Sequence, residues 1–385
     1  MGKGGKGKSL MAFLFPFTLT HRKTTPTASA SNPSDAQYLP DEFISKHPSR
    51  QPGEALIHAR RAPIVGHVMY TYSRPNPESG ENSSIDRIHS FPGSDAVDEL
   101  NVVGITQNGV VCIVQGSLAL NFTLWNPATG SVLNIPEPDL PNRDLLIGGS
   151  AGFGFDPSSN EYAIIRIVRF SQETEKYPDL AVRFNFQTGR WDWLDNEYLG
   201  MLPFWFLKPT CDAVVNDVPY WKVRGIDLSL ELVWFDTRTS VFNLESLPSE
   251  WDNSVSVVMG EIREGNLGAI VRGDKDHLQV WTRNGGEWSE TYRVSKSMWG
   301  RRLMGFYADA EIVYELPTGS DDEPYVHMMK LLLLDDDDND DDGIRRGLED
   351  VDDCCLEGAL YYTCKMMRYK KSLTPMPSIG ALGDS

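Results

Sequence analysis

The sequence predicts an all-β fold built from repeated blades, on three observations. From about Gly66 onward, short runs of β-branched and aromatic residues alternate with Gly, Pro, Asn and Asp at intervals of about ten residues, the texture of strands and turns. Long amphipathic helical patterns are absent. A phrase of aromatic strand, polar turn and second strand recurs four times. The strands expected in chain order are 68–72, 110–114, 122–125, 162–168, 182–186, 213–221, 232–235, 267–271, 278–281, 311–315 and 360–364, all short and rich in β-branched or aromatic residues.

The recurring phrase sets the architecture. Its copies are Leu124-Trp-Asn-Pro-Ala-Thr-Gly130, Phe184-Asn-Phe-Gln-Thr-Gly-Arg-Trp191, Val233-Trp-Phe-Asp-Thr-Arg-Thr-Ser-Val-Phe242 and Val280-Trp-Thr-Arg-Asn-Gly-Gly-Glu-Trp288. With Gly130, Gly189, Ser240 and Gly286 as equivalent turn positions, the steps are 59, 51 and 46 residues, near the roughly 50 of kelch-type blades. Each copy is then a hairpin within one four-stranded blade. Such a blade cannot bury both faces alone, so neighbours stack and close into a ring without long exposed edges. The expected fold is a kelch-like β-propeller, with six blades over residues 66–370 within a range of five to seven.

Several of these phrases occur together in a known order. Asn108-Gly-Val-Val-Cys-Ile113, Leu124-Trp-Asn-Pro-Ala-Thr-Gly130, Gly152-Phe-Gly-Phe-Asp-Pro157, Asn160-Glu-Tyr-Ala-Ile-Ile-Arg-Ile167, Asn216-Asp-Val-Pro-Tyr-Trp221 and Trp234-Phe-Asp236 resemble the F-box-associated domain of plant F-box proteins over roughly residues 60–370. In that family an N-terminal F-box docks on the Skp1 adaptor of a cullin-based ubiquitin ligase, and the propeller-like domain selects the substrate. Here Leu39-Pro-Asp-Glu42, which resembles the start of an F-box, runs directly into Phe43-Ile-Ser-Lys-His47, which resembles its end. Too few residues lie between them for three packed helices, and Pro33, Pro40, Pro48 and Pro52 oppose helix formation. Skp1 docking through this chain is therefore not expected.

Charge divides the chain further. Against a net charge of -18, residues 309–353 hold 17 acidic and 3 basic side chains, while residues 1–34 hold 5 basic and no acidic ones. The acidic balance has the wrong sign for neutralising phosphates, so nucleic acid is not an expected partner. The longest apolar stretches fall well short of the roughly 20 residues of a membrane helix, and no membrane partner is expected. The 5 cysteines are too few and too irregular for a disulfide scaffold or a paired CxxC zinc site, so a reducing compartment, cytoplasm and/or nucleus, is the default. The domains expected are a disordered basic segment at 1–37, an F-box remnant at 38–60, the propeller at 61–370 with an acidic loop at 335–342, and a disordered tail at 371–385. An organelle-targeting or secretory N-terminus is a weaker alternative for the first segment, since Pro16 breaks its apolar run.

Two motif matches are weighed against bland readings. Asp338-x-Asp340-x-Asp342-Gly343 with Glu349 fits the EF-hand calcium-loop pattern, but an Asp run generates such matches and Arg345 and Arg346 fall inside the site, so a solvated hairpin loop is expected. Gly148-Gly-Ser150-Ala-Gly152 fits the nucleophile-elbow pattern, but a strand rather than a helix follows, so an inter-blade connection is expected. The 7 histidines include no HxH or HExxH pair. No catalytic residue, cofactor or metal is expected.

The in-phase Trp125, Trp191, Trp221, Trp234, Trp281 and Trp288 are expected to pack between blades. The off-phase Trp193, Trp251, Trp299 and the run Phe204-Trp205-Phe206 are candidates for exposed recognition. That run, near Pro203 and Pro209, is the candidate anchor for a partner peptide, a buried strand start being its alternative. Loops near 73–86, 139–150, 171–179 and 200–211 are the candidate recognition regions. The function expected is binding of a protein substrate, not catalysis. A propeller-scaffold enzyme and a calcium-responsive interaction protein are the alternatives.

Overall fold

Runs such as Ala163-Ile-Ile165 extend because branched side chains stand comfortably on a pleated, buried surface. The structure, a computed structural model, describes residues 53–61, 66–74, 84–88, 91–93, 99–171 except 117, 119 and 142, 180–194, 205–262 except 226, 253 and 255, 265–272, 278–294, 302–307, 311–318, 326–339, 345–356 and 361–380. The chain divides into two units, Met1–His47 and Pro48–Ser385, and every described residue belongs to the second.

The strands form a propeller-like series of antiparallel meanders. The first sheet holds β1 (Gly53–Arg61), β2 (Gly66–Arg74) and β3 (Ser84–Ile88). The second runs β4 (Leu100–Ile105), β5 (Val111–Gln115), β6 (Asn121–Asn126), β7 (Ser131–Asn134). The third runs β8 (Leu146–Asp156), β9 (Glu161–Phe170), β10 (Leu180–Asn185), β11 (Arg190–Leu194). The fourth holds β12 (Trp205–Phe206), β13 (Ala213–Val215), β14 (Val218–Arg224), β15 (Leu230–Asp236) and β16 (Val241–Ser246). The fifth holds eight strands. These are β17 (Ser256–Ile262), β18 (Asn266–Arg272), β19 (Leu278–Asn284), β20 (Glu287–Val294), β21 (Arg302–Tyr307), β22 (Glu311–Thr318), β23 (Val326–Asn339) and β24 (Arg345–Leu356). The last strand, β25 (Tyr361–Tyr369), returns to pair with β1, Leu56 facing Met367, and so completes the first sheet from the far end of the chain.

Five blades therefore stand where the spacing predicts six. The reason is a short parallel pairing, Tyr292 with Arg345 and Arg293 with Arg346, which joins β20 to β24 and merges two meanders into one sheet. The expected strand 213–221 is instead a hairpin, because Asn216 (φ 49°) and Asp217 (φ 63°) both take the left-handed conformation and reverse the chain between β13 and β14. The segment around Ser150 lies inside β8 rather than in a connection between blades. Residues 53–60, expected within an F-box remnant, form most of β1, and residues 371–380, expected in a disordered tail, lie docked on the sheets. The expected acidic loop is strand up to Asn339, since β23 extends through the aspartates. Residues 1–37 and the 39–47 phrases lie outside the described residues.

The repeated hairpins are the outer pairs β6–β7, β10–β11, β15–β16 and β19–β20. Three share one turn design. Asn126, Asn185 and Asp236 each accept a backbone N–H two residues on, and Gly130, Gly189 and Ser240 each donate an N–H back to them with φ of 70°, 66° and 57°. The fourth turns on Gly285 and Gly286 instead.

Apolar layers fill the spaces between sheets. Val103, Cys112, Phe153, Ile165, Phe184, Trp221 and Phe235 form one cluster across the second to fourth sheets. Trp251 lies in another with Val257, Leu267 and Val271, edge-on to Trp281 and Trp288 at 5.7 and 5.0 Å between ring centroids. Of the off-phase tryptophans, Trp251 is thus fully buried, against the expectation of an exposed recognition residue. Trp193 is exposed, and Trp299 lies outside the described residues. In-phase Trp125 and Trp221 are buried and Trp191, Trp234, Trp281 and Trp288 partly so.

Candidate functional site

The innermost strands leave a central channel of about 720 Å³. It is walled by β4, the run 208–217, β17, β21 and β25, with His58 contributing from β1. The 208–217 run screens β8 from it, since Thr210 bridges in parallel to Ala151.

Deep in the channel, charge is held by backbone as much as by opposite charge. Lys365 Nζ donates to the carbonyls of Val102, Val103 and Cys211 at 3.1, 3.2 and 3.3 Å. Burial pulls its pKa below the ordinary lysine value. Cys211 Sγ donates to Val103 O at 3.1 Å, and burial pushes its thiol up to about 11, so it is a protonated, unreactive thiol. Burial raises Asp212, but Lys208 at 2.8 Å and Lys222 outweigh it and hold the carboxyl below its usual value. Lys222 in turn donates to Val257 O at 2.7 Å. His58 Nε2 lies 3.1 Å from His67 Nδ1, with the rings stacked.

The mouth at the ends of the inner strands is polar. Asp217 accepts the Gln107 N–H at 2.7 Å, Asn216 donates to Gly265 O at 2.7 Å, and Arg368 pairs with Glu261 at 2.7 Å. Burial lifts Asp217 to about 6, with neighbouring Glu261 adding to the rise. This arrangement offers polar and charged contacts to a bound segment. Among the described residues no group of three His, Cys, Asp or Glu side chains is placed to hold a metal.

The residues singled out from sequence fall elsewhere. Trp205 is exposed on the two-residue strand β12, opposite Arg224. Phe206 turns inward and meets Trp221 edge-on at 6.4 Å. Phe204 lies outside the described residues. Neither Trp205 nor Phe206 lines the channel. Ser150 is fully buried and accepts the Trp221 indole N–H at 3.0 Å, which is a packing role. The strands β23 and β24, not helices, flank the literal EF-hand match. Of the candidate loops, 139–150 is described apart from 142, whereas 75–83, 172–179 and 195–204 lie outside the described residues.

The channel residues escaped sequence reasoning. His58 and His67 are nine apart and meet only because the β1–β2 register sets His58 against Met69 and Arg60 against His67, a diagonal contact. Lys365 lies in the middle of β25 with nothing local to mark it. The one usable signal was Asn216-Asp217, a strong two-residue turn pair.

No protein-family model matches the chain. It is 24% identical over 236 residues to the F-box protein At3g07870 of Arabidopsis thaliana, an alignment covering 55% of this chain and 52% of that protein. The chain is thus similar to a plant F-box protein. At3g10240 of the same plant, an F-box protein by name, is 23% identical over 257 residues, covering 63% of this chain and 61% of that protein. The chain thus spans little more than half the length of these F-box relatives. The fold agrees with the F-box-associated resemblance in being an all-β propeller-like ring, with five blades rather than six.

Proposed function

We propose that this F-box-protein relative is a substrate-recognition subunit of a Skp1–cullin–F-box type ubiquitin ligase, binding its protein target through a kelch-like propeller. The observation that carries the reading is alignment of more than half the chain with two Arabidopsis F-box proteins, together with the propeller-like ring. The chemistry fits a binder. The buried thiols are protonated, and the deep lysines and Asp212 are tied to backbone or to one another rather than aimed at a reacting centre. The proposal assigns the chain no catalytic residue and places it in cytoplasm or nucleus. Because Glu42 adjoins Phe43 where an F-box would hold its helices, the chain by itself is adaptor-deficient. The test is capture of a purified Skp1-type adaptor by the native chain and by a version with a complete F-box grafted between Glu42 and Phe43. No capture by the native chain, rescued by the graft, is expected. Capture by the native chain would refute the adaptor deficiency. A grafted chain that captures the adaptor yet promotes ubiquitination of no co-purifying protein would sink the receptor reading.

A further inference from the structure

Ring closure is complete at Tyr369, where β25 has paired with β1. The chain nevertheless continues as an extended, strandless strap over residues 370–380, lying across turns of three sheets. Its beginning is basic, Lys370 and Lys371, and the Lys371 N–H donates to Glu54 Oε2 at 3.1 Å. Next, the fully buried Asn126 donates its side-chain amide to two alternate carbonyls, Ser372 O and Thr374 O, both at 3.0 Å. Met376 and Ile379 then pack against the large core cluster, and Gly380 donates its N–H to Phe186 O at 2.9 Å.

The groove beneath is shaped for a backbone. A Cβ at Gly109 would lie 2.4 Å from Lys370 O, and one at Gly380 would lie 1.9 Å from Gln187 O. Folded domains hold extended peptides by hydrogen bonds to the peptide backbone together with pockets for spaced side chains, and here the Asn126 amide binds two alternate carbonyls just before two apolar anchors. Pro375 and Pro377 keep the segment extended and limit the entropy lost on docking.

We infer that this groove, from Gly109 past Asn126 to Phe186, is a peptide-docking site that residues 370–380 occupy in cis, and that an extended segment of a partner protein displaces them. The segment it takes is basic at its start, punctuated by proline, and carries two apolar anchors three residues apart before a glycine. This rests on the reading of the chain as a protein receptor and adds its ligand class and an autoinhibitory strap. A strap that competes with a partner lowers the partner's apparent affinity by the fraction of time the groove stands open.

The first test is amide hydrogen exchange on the native full chain. The strap amides of Lys371 and Gly380 are expected to exchange roughly a hundredfold faster than those of β9 and β10, because a docked segment opens without unfolding the sheets. Exchange in step with β9 and β10 would overturn the inference. The second uses a labelled synthetic peptide of residues 370–380. It is expected to bind full chains carrying Met376→Asp and Ile379→Asp roughly tenfold more tightly than the native chain, and to lose that binding when the peptide carries the same two changes or the chain carries Asn126→Ala. Equal binding by the native and doubly substituted chains would overturn it. A double variant that does not fold would count against it too, since the ring would then need the strap. Peptide binding by a chain whose F-box graft captures the adaptor yet promotes no ubiquitination would leave this inference standing and sink the ligase reading, while ubiquitination of a co-purifying protein without peptide binding would sink this one alone.

Discussion

At the scale of single residues, His58 shows how burial becomes pH dependence. Burial first, then His67 and Lys365, lower its pKa to about 3 from 6.5. A base with a lowered folded pKa binds fewer protons folded than unfolded, so its destabilising effect is absent above pH 6.5 and grows as pH falls toward 3. At about 1.4 kcal/mol per pH unit, the native chain is expected to lose about 2 kcal/mol between pH 6.5 and 5 through this group. Asp217, raised to about 6, acts oppositely, since its neutral form favours folding as pH drops. Urea unfolding of the native chain and of His58→Gln at pH 7, 6 and 5 separates the two. The gap in stability should shift in favour of the variant as pH falls, and a constant gap would refute the assignment. Arg166 is the companion case, a fully buried guanidinium whose two terminal nitrogens donate to carbonyls of Leu118, Ser150 and Ile167 while its buried Nε has no partner, with burial lowering its pKa to about 9.

At the scale of elements, neighbouring sheets are fastened by polar clamps beside the apolar layers. Glu245 on β16 accepts two bonds from Arg283 on β19, at 2.8 and 2.7 Å, and a third from the Trp288 indole at 3.0 Å. The same guanidinium lies 5.1 Å from the centre of the Trp234 ring. Planar bidentate geometry makes this clamp stronger than an ordinary surface pair, although all of it is only partly buried. Glu245→Ala is expected to cost about 2 kcal/mol in urea unfolding, more than the ~0.5 kcal/mol of a typical exposed ion pair. Glu245→Gln should recover part of that, because an amide oxygen can still accept the indole and one guanidinium bond. A cost within about 0.5 kcal/mol for the Ala variant would show that the apolar layer alone joins these sheets.

At the scale of the whole molecule, closure depends on the last strand. β25 supplies Lys365, whose ammonium binds carbonyls of β4 and of Cys211, so one side chain ties the first sheet to the second and to the run beside the fourth. Lys365→Met keeps the length of the side chain but strips three carbonyls of a charged donor, and is expected to cost about 3 kcal/mol. Because the tie spans the ring, the loss should lower one cooperative unfolding transition rather than split it. Calorimetry that shows two separated transitions, or no loss of stability, would overturn that role.

Strand locations and the repeated hairpins were legible because each depends on neighbours in sequence. Branched runs such as 162–168 and the turn residues Asn126, Asn185 and Asp236 act over two to five positions. The in-phase tryptophans were legible for the same reason. Blade count was not, because the pairing of Tyr292 with Arg345 joins strands across 53 residues of separation, which no local pattern encodes. Trp251 was misplaced since periodicity reports the phase of a side chain, not what fills the space opposite it. The channel's Lys365, Asp212 and His58 come from distant strands, and their burial and shifted pKa values exist only once the ring closes. Local sequence therefore determined the all-β character, the turns and the repeat. Tertiary structure decided the number of blades, the chemistry of the channel and the docking of residues 370–380, because each is set by contacts between segments far apart in the chain.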